Sequence, residues 1–245
     1  MVLVSLLGAG TAVAFSATFR RVWRPNATSE TQELVGQTAR RLGAVYALIL
    51  ALAFNTVMSE HTELEEAIDE EAVLVAQILE DAVEEVPEAD SREMVNDLAA
   101  YVDGVVNEEW NARSAASVNE EAQDALGRVR VRLQRLESVD PQMVAETDDL
   151  IDQVEQRRLQ RLLDLEQTLP PVFWILSIAL FFATLIPTAY SAKSRDKVLL
   201  VGAYGASVGL VLYSILILSE PFRSSMPVSD EPFRLVQTYI EAARR

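Results

Sequence analysis

Apolar and polar positions along the chain sort into long runs with a helical period. The longest is 42–86. It begins as the apolar LGAVYALILALAFNTVM and passes into the acidic SEHTELEEAIDEEAVLVAQILEDAVEEV without a break. No Gly or Pro stands between Gly43 and Pro87, so nothing stops a helix once it has started. About 43 residues at 1.5 Å each give roughly 65 Å. A bilayer's hydrocarbon core takes only about 30 Å. The pattern therefore predicts a helix that spans a membrane over 43–58 and continues into water as an amphipathic stalk.

Three further apolar runs predict spans at 2–19, 172–190 and 198–218. A cleavable signal peptide is the rival reading of the first, because Ala12-Val13-Ala14 resembles a cleavage site. The order of charges favours a retained span: no basic residue precedes the run, and Arg20, Arg21 and Arg24 follow it. Residues 20–41 read as an Arg-rich loop that includes the sequon Asn26-Ala27-Thr28. Trp174 is an interfacial anchor of the third span, and Pro187 a kink within it.

Between the two pairs of spans, 59–170 reads as helix throughout, with no alternation of strand type. Leu64, Ile68, Val75, Leu79 and Val86 continue one side of the stalk to Pro87. Asp90 with Glu93 suggests a capping box for a helix over 91–110, with Val95, Leu98, Val102 and Val105 on its apolar face. Ser117 with Glu120 suggests the start of a third helix, where Val118, Ala122, Leu126, Val129, Leu133 and Leu136 make a buried stripe. Asp140 followed by Pro141 suggests a cap and a helix to Leu169. The expected fold is all-α: four transmembrane helices with an inserted acidic helical domain, span two continuing as the stalk. The segments are a hairpin over 1–58, the domain over 59–170, a hairpin over 171–218 and a tail over 219–245 with an amphipathic stretch at 231–243.

Charge sharpens this division. Residues 59–170 carry 30 Asp and Glu against 9 Arg, while the rest carry 7 acidic and 12 basic residues, within a chain total of −16. Such acidity argues against a nucleic-acid partner. The absence of Cys excludes disulfides, thiolate metal sites and thiol catalysis. A single His61 leaves no His-rich metal site and no Ser-His-Asp triad. The residues call for no cofactor and no metal, and no pair of carboxylates stands out as catalytic. Basic residues in the short connections, among them Lys193, Arg195 and Lys197, predict a cytoplasmic side there. The acidic domain and both termini then lie outside the cytoplasm of a multi-pass cell-membrane protein.

Several positions are candidates for chemistry. Asn55 and Thr56 lie inside span two, where a polar side chain faces a partner helix or a water-filled path. Glu60, Glu63, Glu65, Glu66, Asp69, Glu70 and Glu71 crowd the point where the span leaves the bilayer. Around the axis of an oligomer, Glu60, Glu63 and Glu66 would form carboxylate rings, which concentrate cations; a plain solvated helix face is the alternative. His61 is a candidate pH sensor or an ordinary interfacial residue. Gly202, Gly205 and Gly209 share a face of span four and suggest close helix packing, within or between subunits, as do Gly10 and Ala14 in span one. Arg128, Arg132 and Arg135 form a basic stripe expected to pair with acidic helices. Arg157, Arg158 and Arg161 are spaced for ion pairs or lipid headgroups.

The order of fragments from Arg40 to Tyr239 resembles the bestrophin-like family, a domain of unknown function. The residues that carry it are Tyr101-Val102, Glu109-Trp110, Arg158 with Arg161-Leu162, Leu169-Pro170, Phe173-Trp174, Pro221-Phe222 and Val228-Ser229. The resemblance implies kinship with bestrophins: pentameric anion channels with a long second helix and a cytoplasmic domain. It makes Trp110, Arg158, Arg161, Pro170, Trp174, Pro221 and Phe222 the motif positions. It implies a homo-oligomer in a lipid bilayer with inorganic ions as partners. A non-conducting membrane sensor or scaffold, binding a partner through its helical domain, is the alternative.

Overall fold

The computed structural model describes residues 2–23, 28–110, 119–164, 169–190, 195–219 and 228–245. Every regular element among them is helical: α1 Val2–Trp23, α2 Ser29–Glu84, α3 Glu88–Gly104, α4 Glu120–Arg135, α5 Pro141–Asp164, α6 Pro171–Ala189, α7 Arg195–Leu218 and α8 Glu231–Ala243. A π-helical turn, Val105–Glu109, continues α3. The chain divides into two compact units. The first is Met1–Ser59 with Thr168–Ser219, and the second is Glu60–Gln167 with Glu220–Arg245. Helix α2 contributes residues to both.

In the first unit α1 packs along α7 and against α6. Tyr46, Leu50, Ala53 and Val57 of α2 recur every three or four residues. They are buried in one cluster with Ala12, Phe181, Leu185, Val208 and Ile215, the face expected of an amphipathic helix. Among the described residues three helices are long and apolar enough to cross a membrane, Val2–Val22, Glu30–Glu84 and Arg195–Leu218; Pro171–Pro187 is a shorter apolar helix. Pro187 sits within α6.

The expected loop over 20–41 is mostly helix. α2 starts at Ser29, with the Thr28 hydroxyl accepting from the Thr31 N–H (3.3 Å). Arg40 and Arg41 therefore belong to α2, because one Gly36 costs too little to break a helix extended from both sides. At 56 residues, α2 is roughly 84 Å long. The sequon Asn26-Ala27-Thr28 and Lys193 lie wholly or partly outside the described residues.

The second unit has its own core. Leu64, Ile68, Val75, Ile78 and Ala82 of α2 pack with Leu98 and Val102 of α3, Leu126, Val129 and Leu133 of α4, Ile151 and Val154 of α5, and Phe233, Val236 and Ile240 of α8. Residues 228–245 thus group with this unit instead of standing apart as a tail, because Phe233, Val236 and Ile240 turn one apolar face of α8 into the core.

Two helix starts differ from expectation. Pro87 is the cap residue of α3, and no side chain caps it. Its fixed φ begins the helix at once, which places Asp90 inside the first turn and frees Glu93 to pair with Arg132. Ser117 and Val118 lie outside the described residues. Asn119 is the cap of α4, its side chain accepting from the Glu121 N–H (2.8 Å). At α5, Asp140 accepts from the N–H groups of Gln142 (3.1 Å) and Met143 (3.0 Å). The α3 segment also does not end as a plain α-helix. The Trp110 N–H reaches back five residues to the Val105 carbonyl (2.9 Å). The extra residue in that turn swings Glu109 inward, where it is buried.

Candidate functional site

A chain of paired guanidinium and carboxylate groups runs through the buried interior of the second unit. Arg161, on α5, is 1% exposed. Its guanidinium donates to both oxygens of Glu71 on α2 (2.8 and 3.1 Å) and to Glu109 on the π turn (2.8 Å). Arg158, one turn earlier, donates to Glu109 (3.0 Å from Nε), to the Gln123 side chain (2.6 Å) and to the Asn119 carbonyl (3.0 Å). The Tyr101 hydroxyl donates to Glu71 (2.6 Å), and the Asn119 N–H to Glu109 (3.3 Å). Aromatic faces complete the shell. Tyr101 lies 5.9 Å from the Arg158 guanidinium carbon, and Phe233 lies 6.0 Å from that of Arg161. Trp110 meets Phe233 edge to face. Two guanidinium groups face two carboxylates, so the group is neutral as a whole, which is what makes its burial tolerable.

Its electrostatics follow from this pairing. Burial alone would raise the Glu109 pKa, but hydrogen bonds and charge from Arg158 and Arg161 outweigh it and hold the carboxyl below its usual range. Burial opposes the charge on Arg161, and Glu71 more than restores it, so its pKa rises. Burial and the Glu71 charge push the Tyr101 phenol well up, so it stays a donor.

The motif residues Tyr101, Glu109, Trp110, Arg158 and Arg161, scattered over 61 positions of sequence, are brought together here. Pro170 and Trp174 lie in the first unit, at the start of α6. The Phe173 N–H bonds the Pro170 carbonyl (2.9 Å), and Trp174 packs on Phe173. Pro221 and Phe222 fall outside the described residues.

The seven carboxylates after span two are sorted by the fold into different surroundings. Glu71 is fully buried on Arg161. Glu70 pairs with Arg157 (2.6 Å). Glu65 lies 3.6 Å from His61, whose side chain is only 10% exposed. Glu65 and Asp69 also line a groove of about 700 Å³ with Ser229, Glu231 and Leu235. Glu60, Glu63 and Glu66 are exposed, as are Asn55 and Thr56. They do not share one stripe. At about 100° per residue, Asn55 and Glu66 lie within about 20° of each other and Glu63 between 60° and 80° from both, whereas Glu60 is about 140° from Asn55 and about 120° from Glu66. The stripe of Asn55 and Glu66 contains Leu48 and Leu52, with Val45 at its edge beside Glu63, each of the three apolar residues more than half exposed.

The basic stripe is largely paired. Arg128 and Arg132 share Asp97 (2.7 and 2.8 Å), while Arg135 is exposed. Arg130 meets Asp148 (2.9 Å), Asp152 and Glu155 (3.5 Å). Among the described residues no group of His, Cys, Asp or Glu is arranged to hold a metal ion.

The glycines of α7 lie against α1. A Cβ on Gly205 would fall 2.5 Å from both the Gly8 carbonyl and the Ala12 Cβ, and one on Gly209 would fall 3.4 Å from Gly8 Cα. Gly202 has ordinary space, 3.7 Å from Val13. On α1 the close contact is made by Gly8 with Ala12. A Cβ on Gly10 would meet nothing within 4 Å, and Ala14 is exposed. Gly10 and Ala14 share a face of α1, but not the one that meets α7, so of the two expected forms of packing theirs is not the contact with α7.

Glu71 and Gly8 were the signals most easily missed. Glu71 occupies a slot in the run Leu64, Ile68, Glu71, Val75, Ile78, Ala82, so a lone carboxylate in an apolar stripe marks the buried partner of a distant cation. Asn119, Gln123 and Phe233 have no comparable local signal.

The model of the Bestrophin-like domain matches residues 6–233. A crystal structure of a bacterial Bestrophin homolog from Klebsiella pneumoniae, carrying a single substitution, superposes with a TM-score of 0.74 at 11% identity. The match covers 97% of this chain and 98% of that one. A second substituted form of that homolog gives 0.71 at 13% identity, over 98% and 97%. At such identities the likeness is one of fold. No curated protein matches the sequence.

Proposed function

The chain belongs to the Bestrophin-like family of membrane proteins, and from that premise we propose that it forms an oligomeric ion-permeation channel of four spans per subunit. The carrying observation is the stripe on α2. Leu48, Leu52, Asn55 and Glu66 are exposed on the side of the helix away from Tyr46, Leu50, Ala53 and Val57. Copies arranged about an axis with this stripe inward would line it with an apolar section, an amide ring and a carboxylate mouth flanked by Glu63. Carboxylate rings draw cations and repel anions. Thr56 and Glu60 lie off the stripe.

Native mass spectrometry of nanodisc-embedded protein is expected to give a closed ring of subunits, and proteoliposomes to pass ions. Glu63→Gln with Glu66→Gln is expected to lower the cation-to-anion permeability ratio by about tenfold, the low end of what focused charge achieves. A monomer, or an unchanged ratio, removes the carboxylate-ring reading. The second reading, a non-conducting sensor or scaffold, is favoured by Leu159 and Leu163, both more than half exposed one turn apart on α5. Absent flux with a partner lost on Leu159→Ser with Leu163→Ser would select it.

From the basic residues Arg20, Arg21, Arg40, Arg41, Arg195 and Lys197 we infer that their side of the membrane is cytoplasmic, with the second unit and both termini outside. The chain has no Cys, so one can be introduced cleanly at the exposed Ala145. Ala145→Cys is expected to react with a membrane-impermeant maleimide in intact cells. Reaction only after permeabilisation reverses the topology.

A further inference from the structure

We propose that Glu71, held by Arg161 and Tyr101, is a rotational lock on α2: a positioning residue that sets which residues of the helix face the permeation path. The inference rests on the channel reading for its consequence, and on the buried network for its substance.

The packed face of α2 in the second unit mixes Leu64, Ile68, Val75 and Ile78 with the small Ala67, Ala72 and Ala82. The large side chains turn this face inward without fixing its angle finely, because the hydrophobic effect is not directional. A directional contact distinguishes one rotation from its neighbours. Glu71 provides three, two from Arg161 and one from Tyr101. The partners are themselves held: Arg161 by Glu109 and by the face of Phe233, Tyr101 by complete burial on α3. Turning α2 by one residue's angle would withdraw the carboxylate and leave Arg161 buried and under-paired, which the interior does not tolerate. The other polar contacts of this stretch are weaker pins. Asp81 accepts one bond from Thr147 (3.0 Å), and Glu70 meets Arg157 while both are more than a third exposed.

The helix then transmits the setting. With no Gly or Pro between Gly43 and Pro87, α2 is one continuous ladder of i to i−4 bonds and resists local twisting. Glu66 lies about 140° and Asn55 about 160° around the helix from Glu71. Fixing Glu71 inward therefore fixes those two outward. The crowd of acids at 60–71 thus divides in function: Glu71 orients, and Glu66 with Glu63 is presented.

The test uses full-length protein in nanodiscs. Ala67 is 2% exposed and about 40° from Glu71, so a thiol there is protected while the lock holds. In Ala67→Cys protein, Glu71→Gln is expected to raise maleimide reactivity at residue 67 by about tenfold, since buried thiols are inert and exposed ones are not. Tyr101→Phe, which removes one bond and keeps the ring, is expected to raise it less. Leu126→Ala is the control: it loosens the same core without touching the lock, and compared at equal distance below each variant's melting temperature it is expected to leave residue 67 protected. If Glu71→Gln does not fold, Tyr101→Phe against Leu126→Ala decides. Equal reactivity in the lock variants and the control, or none in any, overturns the proposal. Ion flux is a separate readout. Cation-to-anion ratio should change with Glu71→Gln and not with Leu126→Ala. A native chain that passes no ions defeats the channel reading while the thiol measurement still judges the lock.

Discussion

Arg161→Ala is expected to destabilise the second unit by about 3–5 kcal/mol, the usual loss when one partner of a buried ion pair is removed. Two carboxylates, Glu71 and Glu109, would lose their shared cation while remaining enclosed. The Phe233 ring would lose the guanidinium beneath it, leaving a cavity at the point where α2, the π turn, α5 and α8 converge. Thermal unfolding followed by circular dichroism should show a drop on the order of 10 °C in Tm. Arg128→Ala serves as contrast. Its Asp97 keeps Arg132, and the side chain is 44% exposed, so the loss should be below about 1 kcal/mol. A native-like Tm for Arg161→Ala would mean that the network does not hold the unit together. Acid should act on the same residues. Glu109 has a lowered folded pKa, so it contributes stability that is complete above the ordinary carboxylate range and lost as pH falls through the lowered value. Removing both guanidinium partners should flatten that acid limb.

Gly205→Val is expected to force α1 from α7 and to abolish the folded first unit, or to weaken it by more than about 3 kcal/mol, beyond ordinary overpacking. The obstacle is backbone. The Gly8 carbonyl lies where the first side-chain carbon would go, and a carbonyl within a helix cannot move aside without displacing the helix. Loss of monodisperse protein in detergent, or a large drop in its unfolding temperature, is the readout. Gly10→Val is the matched control: its side chain enters open space in the single chain. If Gly10→Val is the more damaging of the two, then the open face of α1 is covered in the assembled protein, and the close contact with α7 matters less than its geometry implies.

The contrast between Gly8 and Gly10 shows where a sequence stops being legible. Both are small residues in an apolar helix, two positions apart, and no local property ranks them. Only the neighbour's position does so, because the close approach of α7 involves atoms 197 residues further on. The π turn is similar. Val105 and Val106 continue the apolar face of α3, so a plain helix to 110 is the local expectation. The buried pairing of Glu109 with Arg158 and Arg161 is a tertiary contact of 49 and 52 residues' separation, and it stabilises an extra residue in the turn. Segment 20–41 departs from the expected loop for a different reason. Its polarity describes exposure, and an exposed segment with one Gly and no Pro after Pro25 is free to be helix. By contrast, the buried stripe of α4, the cap at Asp140 and the amphipathic 231–243 were legible, since period and capping are properties of a few neighbouring residues.

By itself the sequence determined that this protein is helical, that apolar helices suited to a membrane are separated by an acidic amphipathic insert, and that one helix runs from one to the other. These follow from hydrophobic period, from uninterrupted chain and from the segregation of charge, all of which act over a turn or two. The tertiary structure alone decided which of seven neighbouring acids is buried, which arginines neutralise it, and which glycine admits a second helix. Those outcomes depend on bonds and contacts between residues far apart in the chain. Their energies are set by burial, and burial exists only once the helices have packed.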